Sequence, residues 1–228
     1  MTSLWRFADP GDHRFASAGR RGSWTAEVGV CPECTASRQR RVQPLILVWQ
    51  PGSDVVGDFV WPANDVVAAE RVLAVLQKHF TGFEPGPVEM IDDGAVRGAK
   101  RGKPRVRLPY QGPPLYEVWV TASVHLDIER SSVELERRCG TCGTEFWQVY
   151  GVERWDTHFD MDRRELVRTK TERLPRAGIF VRGADLGGAA IFRMLEFPGA
   201  VFCTDAVREL IGKEGFSNAG FLEMGEIY

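Results

Sequence analysis

Residues 138–144 read RCGTCGT, and residues 30–36 read VCPECTA. Each stretch contains a CxxC pair, and the cysteines of the two pairs are Cys31, Cys34, Cys139 and Cys142. A short turn brings both thiolates of such a pair to the same side, and four thiolates complete the tetrahedron of a closed structural zinc site. We therefore predict that these four cysteines bind one structural Zn²⁺ ion.

The gap between the pairs is far longer than zinc-finger spacing, so one ion would join distant parts of the chain. Two other uses of the cysteines remain open. CPEC resembles the active-site motif of glutaredoxin-like proteins, which needs an amphipathic helix after it, but residues 35–44, TASRQRRVQP, are polar, basic and end in proline. Alternatively, the thiols are buried and inert. Gly143 suits a turn that needs positive φ, and we expect the same of Gly140.

The composition is that of an ordinary globular protein. Of the 228 residues, 43% are hydrophobic and 26% are charged, and the net charge of −2 favours neither nucleic acid nor an anionic membrane as the main partner. The N-terminal sequence MTSLWRFADPG has no apolar signal segment, and the longest apolar run, LILVW at 45–49, is too short to span a membrane. We expect a cytoplasmic protein whose thiols stay reduced.

The sequence contains no common catalytic constellation: GxSxG, HExxH and GxxxxGK[ST] are all absent. His125 lies in a predicted strand, where a structural histidine is expected, and His158 lies in a charged stretch where acidic neighbours are common. Cys203, in AVFCTDA, has no identifiable partner base and is expected to be a small buried hydrophobe. We predict that the protein is not an enzyme and has no catalytic residues.

Residues 58–90 and 199–228 share a pattern. Each begins with a short apolar strand (FVW or VFC), passes a cap residue (Asn64 or Thr204), continues as an amphipathic helix and ends in Gly-Phe and a segment containing Glu-Met. The predicted helix faces are Val66, Leu73, Leu76 and Phe80 in the first copy, and Ala206, Val207, Leu210 and Ile211 in the second. Each copy follows its own CxxC pair, which indicates a duplicated unit.

The predicted fold class is therefore α+β, with two related halves joined by one zinc site. Each half is a CxxC knuckle followed by a strand-helix-strand unit. The halves span residues 1–96 and 113–228, with a basic linker or loop at 97–112, and together they are expected to form one globular unit. Within this linker, RGAKRGKPRVR at 97–107 is interpreted first as a solvated loop and second as a contact for phosphate or an acidic partner.

Strands dominate the rest of the prediction. The runs at 45–49 and 116–128 are rich in β-branched and aromatic residues, and FWQVY at 146–150 completes a hairpin after the second cysteine pair. Residues 152–173 are highly charged and are predicted to form a solvated helix or loop. The segment 176–195 is predicted to contain a strand, a glycine turn and a further short element.

Taken together, four stretches resemble the double-CXXCG motif proteins, a family that includes immunity proteins of the swarming-inhibition type. They are VCPEC, RCGTCG, GIFVRGADLGGAAIFRM and CTDAVRELIGKEGFSNAGFLEMGE, and the resemblance covers most of the chain. The first pair departs from the family pattern because Thr35 follows it instead of glycine, but all four thiols are present.

The resemblance implies an immunity protein, or antitoxin, that binds a cognate toxin of sibling cells and blocks its active site or an essential surface. It names no toxin-binding residue and no oligomeric state. The alternative is a zinc-ribbon nucleic-acid-binding protein that uses the basic stretch, for which steeply salt-dependent binding is expected.

Overall fold

In a computed structural model of the chain, the described residues form a sheet-dominated α+β fold with two α-helices, which confirms that part of the predicted fold class. The residues that the structure describes are 1–21, 24–25, 31–34, 40–41, 44–93, 102–162 and 164–228. Residues 97–101 of the basic stretch and residues 35–39 after the first cysteine pair lie outside these ranges.

The described strands, in chain order, are β1 (Thr2–Phe7), β2 (Ala18–Arg20), β3 (Trp24–Thr25), β4 (Arg40–Arg41), β5 (Leu45–Trp49), β6 (Phe59–Val60), β7 (Val67–Ala69), β8 (Phe83–Gly86), β9 (Val88–Met90), β10 (Leu115–Val120), β11 (Ser123–Val124), β12 (Val133–Arg138), β13 (Glu145–Val149), β14 (Arg154–Asp160), β15 (Glu165–Thr171), β16 (Ile179–Val181), β17 (Ile191–Met194), β18 (Phe202–Thr204) and β19 (Phe221–Ile227). The helices are α1 (Glu70–His79) and α2 (Asp205–Glu214), and a 3-10 helix spans Gly183–Leu186.

Each of two sheets contains a strand from the other half of the chain. The six-stranded sheet has the order β11-β17-β18-β1-β19-β16, and β1 runs antiparallel to both of its neighbours. The four-stranded sheet has the order β6-β7-β10-β8, and β10 is antiparallel to both β7 and β8. The N-terminal strand therefore lies inside a sheet of C-terminal strands, and β10 lies inside a sheet of strands that precede the basic stretch. Smaller sheets are β2-β5-β9, β3-β4, β12-β13 and β14-β15.

Both helices follow a strand without a loop. Helix α2 begins after Thr204, as predicted, and buries Val207 and Ile211. The predicted start of α1 was wrong, because Asn64 is not its cap and the helix begins at Glu70. Residues 66–69 are extended instead and pair with β10, where Val118 N–H donates to the Val66 carbonyl at 2.8 Å. Sheet pairing of this apolar run thus displaces the helix start.

Two hydrophobic cores lie on opposite faces of the six-stranded sheet. Neighbouring residues of one strand, Phe202 and Cys203, belong to different cores, as the two-residue period of a strand requires. The first core also contains Val72, Leu73 and Leu76 of α1 together with Ile211 of α2. Cys203 is fully buried in this core, which confirms its predicted role in packing, and burial raises the pKa of its thiol.

A buried carboxylate joins the two helix-bearing segments. Asp58 accepts hydrogen bonds from Arg71 Nε and Nη2 (both 2.6 Å) and from the backbone N–H and hydroxyl of Ser217 (2.7 and 2.8 Å). Burial by itself raises the pKa of Asp58, but the hydrogen bonds from Arg71 and Ser217 outweigh it, so the pKa lies below its usual value. The carboxylate is thus held in its charged form.

The prediction of a helix or loop for residues 152–173 was wrong, because this stretch forms the β14–β15 hairpin. A two-residue period is present in β14, where Trp155, Thr157 and Phe159 alternate with charged or polar residues, but it is short and lies within a highly charged stretch. Cross-strand contacts hold the hairpin instead: the guanidinium of Arg168 lies 4.5 Å from the ring centroid of Trp155, and Lys170 lies directly opposite Trp155.

Candidate metal centre

The second cysteine pair lies at the tip of the β12–β13 hairpin, as predicted. The turn is closed by two backbone hydrogen bonds, from Cys139 N–H to the Thr144 carbonyl (2.8 Å) and from Gly143 N–H to the Cys139 carbonyl (2.9 Å). Gly143 has a φ of +72°, which confirms the need for glycine there. The same expectation for Gly140 was wrong, since its φ is not positive.

The first cysteine pair lies in a turn at residues 31–34, and it meets the hairpin tip across 108 positions of sequence. The Cys31 and Cys139 sulfurs are 3.7 Å apart, and those of Cys34 and Cys142 are 3.5 Å apart. All four Sγ atoms lie within 4.8 Å of one another. The structure thus brings together all four predicted ligands.

This geometry fits one metal ion. Four sulfurs bound at about 2.3 Å at the corners of a tetrahedron lie about 3.8 Å from one another, close to the distances across the cluster. Cys31, Cys34 and Cys139 are buried, and Cys142 is partly buried. Phe146 is partly buried and packs against the cluster, which forms a group separate from the two main cores. The four cysteines can therefore hold a metal ion in a closed, largely dry site.

Hydrogen bonds tune the thiols of the hairpin. The Thr144 hydroxyl oxygen lies 3.1 Å from Cys142 Sγ, and hydrogen bonds from this hydroxyl and from the Thr144 backbone lower the pKa of Cys142 to about 6. The Cys142 backbone N–H favours the Cys139 thiolate, but burial and the neighbouring sulfurs raise the pKa of Cys139 to about 12. A thiolate is the form that binds metal, so Cys142 is prepared for an ion at neutral pH.

Polar contacts also link the two pairs. The Thr141 hydroxyl donates to the Glu33 carboxylate, and this hydrogen bond is the main cause of the lowered pKa of Glu33. A second hydrogen bond, from the Cys139 thiol at 3.6 Å, lowers the pKa further. Glu33 comes from the first pair and Thr141 from the second, so these contacts fix their relative position. Beside them, Arg137 lies 4.1 Å from the ring centroid of Phe146.

The other predicted candidates have structural contacts. His125 Nδ1 lies 2.7 Å from a Glu196 carboxylate oxygen, which favours the structural interpretation of this histidine. In the basic stretch, only residues 102–107 are described: there Arg105 forms an ion pair with Asp92 at 3.3 Å, and Val106 is buried. Among the described residues, no helix is long and apolar enough to cross a membrane.

Sequence reasoning missed a second feature, a cavity of about 310 Å³ that is lined by Arg6. The signal was an arginine between two large aromatic residues, Trp5 and Phe7, in the stretch TSLWRF that becomes β1. Charged residues in such a run are costly unless they have a partner.

No protein-family model matches the chain, and no curated protein matches it.

Proposed function

We propose that this chain is a cytoplasmic immunity protein, not an enzyme, that binds and neutralises a cognate toxin of sibling cells. The observation that carries the proposal is the convergence of both CxxC pairs in one cluster, because these two motifs are the core of the resemblance to the double-CXXCG family. A cytoplasmic location agrees with four thiols that are held for metal, since reducing conditions keep them from forming disulfides.

The proposed ion is Zn²⁺ in a structural role. An all-thiolate set with tetrahedral spacing is typical of structural zinc sites, and four protein ligands leave no open position for a catalytic water. When bound, the ion supplies a cross-link between the first pair and the β12–β13 hairpin. Zinc content measured on purified protein tests this directly: we expect one ion per chain, and Cys139→Ser to lose it.

The finer fold proposal is a duplicated unit. The segments β7-α1-β8 and β18-α2-β19 have the same order of elements. In each unit the two strands flank an antiparallel strand from the other half of the chain, which is β10 in the first unit and β1 in the second. In both units the helix packs on the first strand and on that inserted strand. This correspondence supports two related halves fastened by one zinc ion.

The partner surface of an immunity protein is expected to expose aromatic and apolar anchors beside arginine. The tip of the β14–β15 hairpin has this character, because the side chains of Phe159 and Met161 are 52% and 78% exposed. Its stem is stiffened by the stacking of Arg168 on Trp155. We therefore include this tip as the first surface to test against the toxin.

A rescue assay tests the function. The product of the neighbouring gene is expressed in a sensitive host with and without this protein, and growth and co-purification are measured. We expect wild-type protein to restore growth and a Phe159→Ala/Met161→Ala variant to weaken the complex. The matched control is Leu174→Ala, which alters another exposed apolar side chain and leaves the hairpin tip intact. A toxic neighbour that is neither bound nor neutralised would remove the basis of the proposal.

The alternative of a zinc-ribbon nucleic-acid-binding protein depends on residues 97–107. Within its described part, one arginine is already paired with Asp92, which leaves fewer charges for phosphate. Titration of labelled single- and double-stranded oligonucleotides at increasing salt separates the two functions: binding that falls steeply with salt supports the alternative, and the absence of binding supports an immunity protein.

A further inference from the structure

A cavity of about 310 Å³ lies between the N-terminal strand β1, the chain before β7 and the β14–β15 hairpin. Its volume is at the lower end of the range for small-molecule sites. Trp61 and Trp155 contribute large rings to its lining, and Arg6, Arg154 and Arg168 contribute guanidinium groups. The cavity therefore combines apolar walls with cationic groups.

Arg6 has an unusual position for a cation. It lies within the six-stranded sheet, on β1, opposite Phe202 on one neighbouring strand and Leu222 on the other. Its Nε is buried and has no hydrogen-bond partner, and no carboxylate of the described residues forms an ion pair with it. Burial lowers the pKa of Arg6, as expected for a charge removed from water without compensation. A partly buried guanidinium whose Nε has no hydrogen-bond partner is costly, and a bound anion relieves that cost.

The other charges of the cavity already have partners. Asp65 is held by Arg20 at 3.1 Å and by Arg193 at 3.8 Å, so its carboxylate is neutralised. Arg154 pairs with Asp156 at 3.1 Å. Arg168 Nη2 donates to the Asp9 carbonyl at 2.8 Å. Arg6 and Arg168 are therefore the cations of this lining that form no ion pair with a carboxylate of the described residues. Of these two, only Arg6 has a buried nitrogen without a hydrogen-bond partner.

We propose that this cavity binds a small organic anion whose carboxylate or phosphate group pairs with Arg6. The planar fork of a guanidinium matches either oxyanion through two parallel hydrogen bonds, and the tryptophan rings provide contact area for an apolar body. The site is independent of the four cysteines and of the proposed immunity function, because it depends on a separate set of residues.

Thermal unfolding at constant ionic strength tests the site, with sodium phosphate and sodium benzoate as the probes and sodium chloride as the reference. At ten times the dissociation constant, a bound anion raises the Tm of a chain of this length by about 3–5 °C. We expect this rise in wild type and in the control variant Arg14→Met, which removes an exposed arginine outside the cavity. We expect no rise in Arg6→Met. A response to phosphate alone or to benzoate alone supports the site and identifies the headgroup.

Stability in chloride gives a second readout. Removing a partly buried cation that has no ion-pair partner should raise the Tm of Arg6→Met above that of wild type, whereas removing an arginine with a purely structural role would lower the Tm. If Arg6→Met does not fold, Arg6→Lys keeps the charge without the fork, and calorimetry should show at least about tenfold weaker anion binding than wild type. Equal responses of wild type and of these Arg6 variants to the probes, or no response of wild type beyond chloride, would overturn the proposal.

Discussion

Metal removal tests the proposed cross-link most directly. Cys31 and Cys139 are 108 positions apart, and their sulfurs meet in the folded chain. An unfolded chain must close that loop before four sulfurs can bind one ion, and the chain-entropy expression for a loop of this length gives a cost of about 4.8 kcal/mol at 25 °C. The folded chain has already closed it. If the ion binds the same four sulfurs in the folded and the unfolded chain, only the unfolded chain pays the cost of loop closure. A saturating ion therefore raises the free energy of unfolding by about 4.8 kcal/mol.

Urea-induced unfolding measures this difference. With an m-value of about 3 kcal/mol per molar, the expected shift in midpoint between metal-loaded and metal-free protein is about 1.6 M. The experiment compares protein with stoichiometric zinc, protein after removal of metal by a chelator under reducing conditions, and protein with zinc restored. Cys139→Ser should unfold near the metal-free midpoint whether or not zinc is present. Cys203→Ala is the matched control, since it removes a cysteine outside the cluster and should keep the full shift.

An unchanged midpoint after confirmed metal loss would refute the reasoning, because it would mean that the ion binds folded and unfolded chains equally. The same holds if Cys139→Ser retains one zinc per chain and responds to chelator as the wild type does. Loss of the shift in Cys203→Ala with zinc still bound would show that the measured effect belongs to the core and not to the cluster.

Three further predictions concern the turn, the buried carboxylate and the domain division. Gly143→Ala should cost about 1 kcal/mol of stability by urea unfolding and weaken zinc binding in a chelator competition, because its φ is +72°, while Gly140→Ala should change neither. The pKa of Asp58 is lowered in the folded chain. Its contribution to the free energy of unfolding is therefore complete above the unfolded-state pKa of about 3.9, and it is lost as the pH falls through the folded-state pKa. Asp58→Asn should therefore lower stability by about 2 kcal/mol at neutral pH and reduce the loss of stability below about pH 4; equal acid sensitivity would contradict this. Fragments 1–96 and 113–228 should each fail to fold alone, by circular dichroism, and fold on mixing, because each lacks the inserted strand of its own sheet.

The cysteine cluster was predictable because its members are encoded by residue type and local spacing. A CxxC turn is a local feature, and the glycine at position 143 shows its need for positive φ within the motif itself. Strands such as β5 were predictable for a similar reason, since LILVW is a continuous apolar run that is buried in the first core. Sequence also predicted α2 within one residue of its start, because Thr204 directly precedes the amphipathic pattern.

The remaining features depend on contacts between distant residues. The start of α1 follows from pairing with β10, about fifty positions later in the chain. The β14–β15 hairpin is largely exposed, and the short alternation of Trp155, Thr157 and Phe159 in β14 is masked by the high charge of the stretch. Arg6 is one arginine among many in the sequence, and its burial follows from the insertion of β1 between β18 and β19. The pairings of β7 with β10 and of β1 with β18 and β19 have no local signal in the sequence.

The exchanged strands determine which part of the fold a bound ion would stabilise. Strand β1 ties the N-terminus to the last sheet, β10 ties the second half to the first, and Asp58 bridges β6 to the chain after α2. These links and the two main cores hold the ends of the long loop near each other without any metal. The cysteine cluster stands apart from both cores, and its hairpin strand β12 is almost wholly exposed, with few apolar residues to bury. A bound ion would therefore replace a hydrophobic core for this hairpin. We expect the metal-free chain to stay folded elsewhere, and this folded state is the reference for the urea comparison.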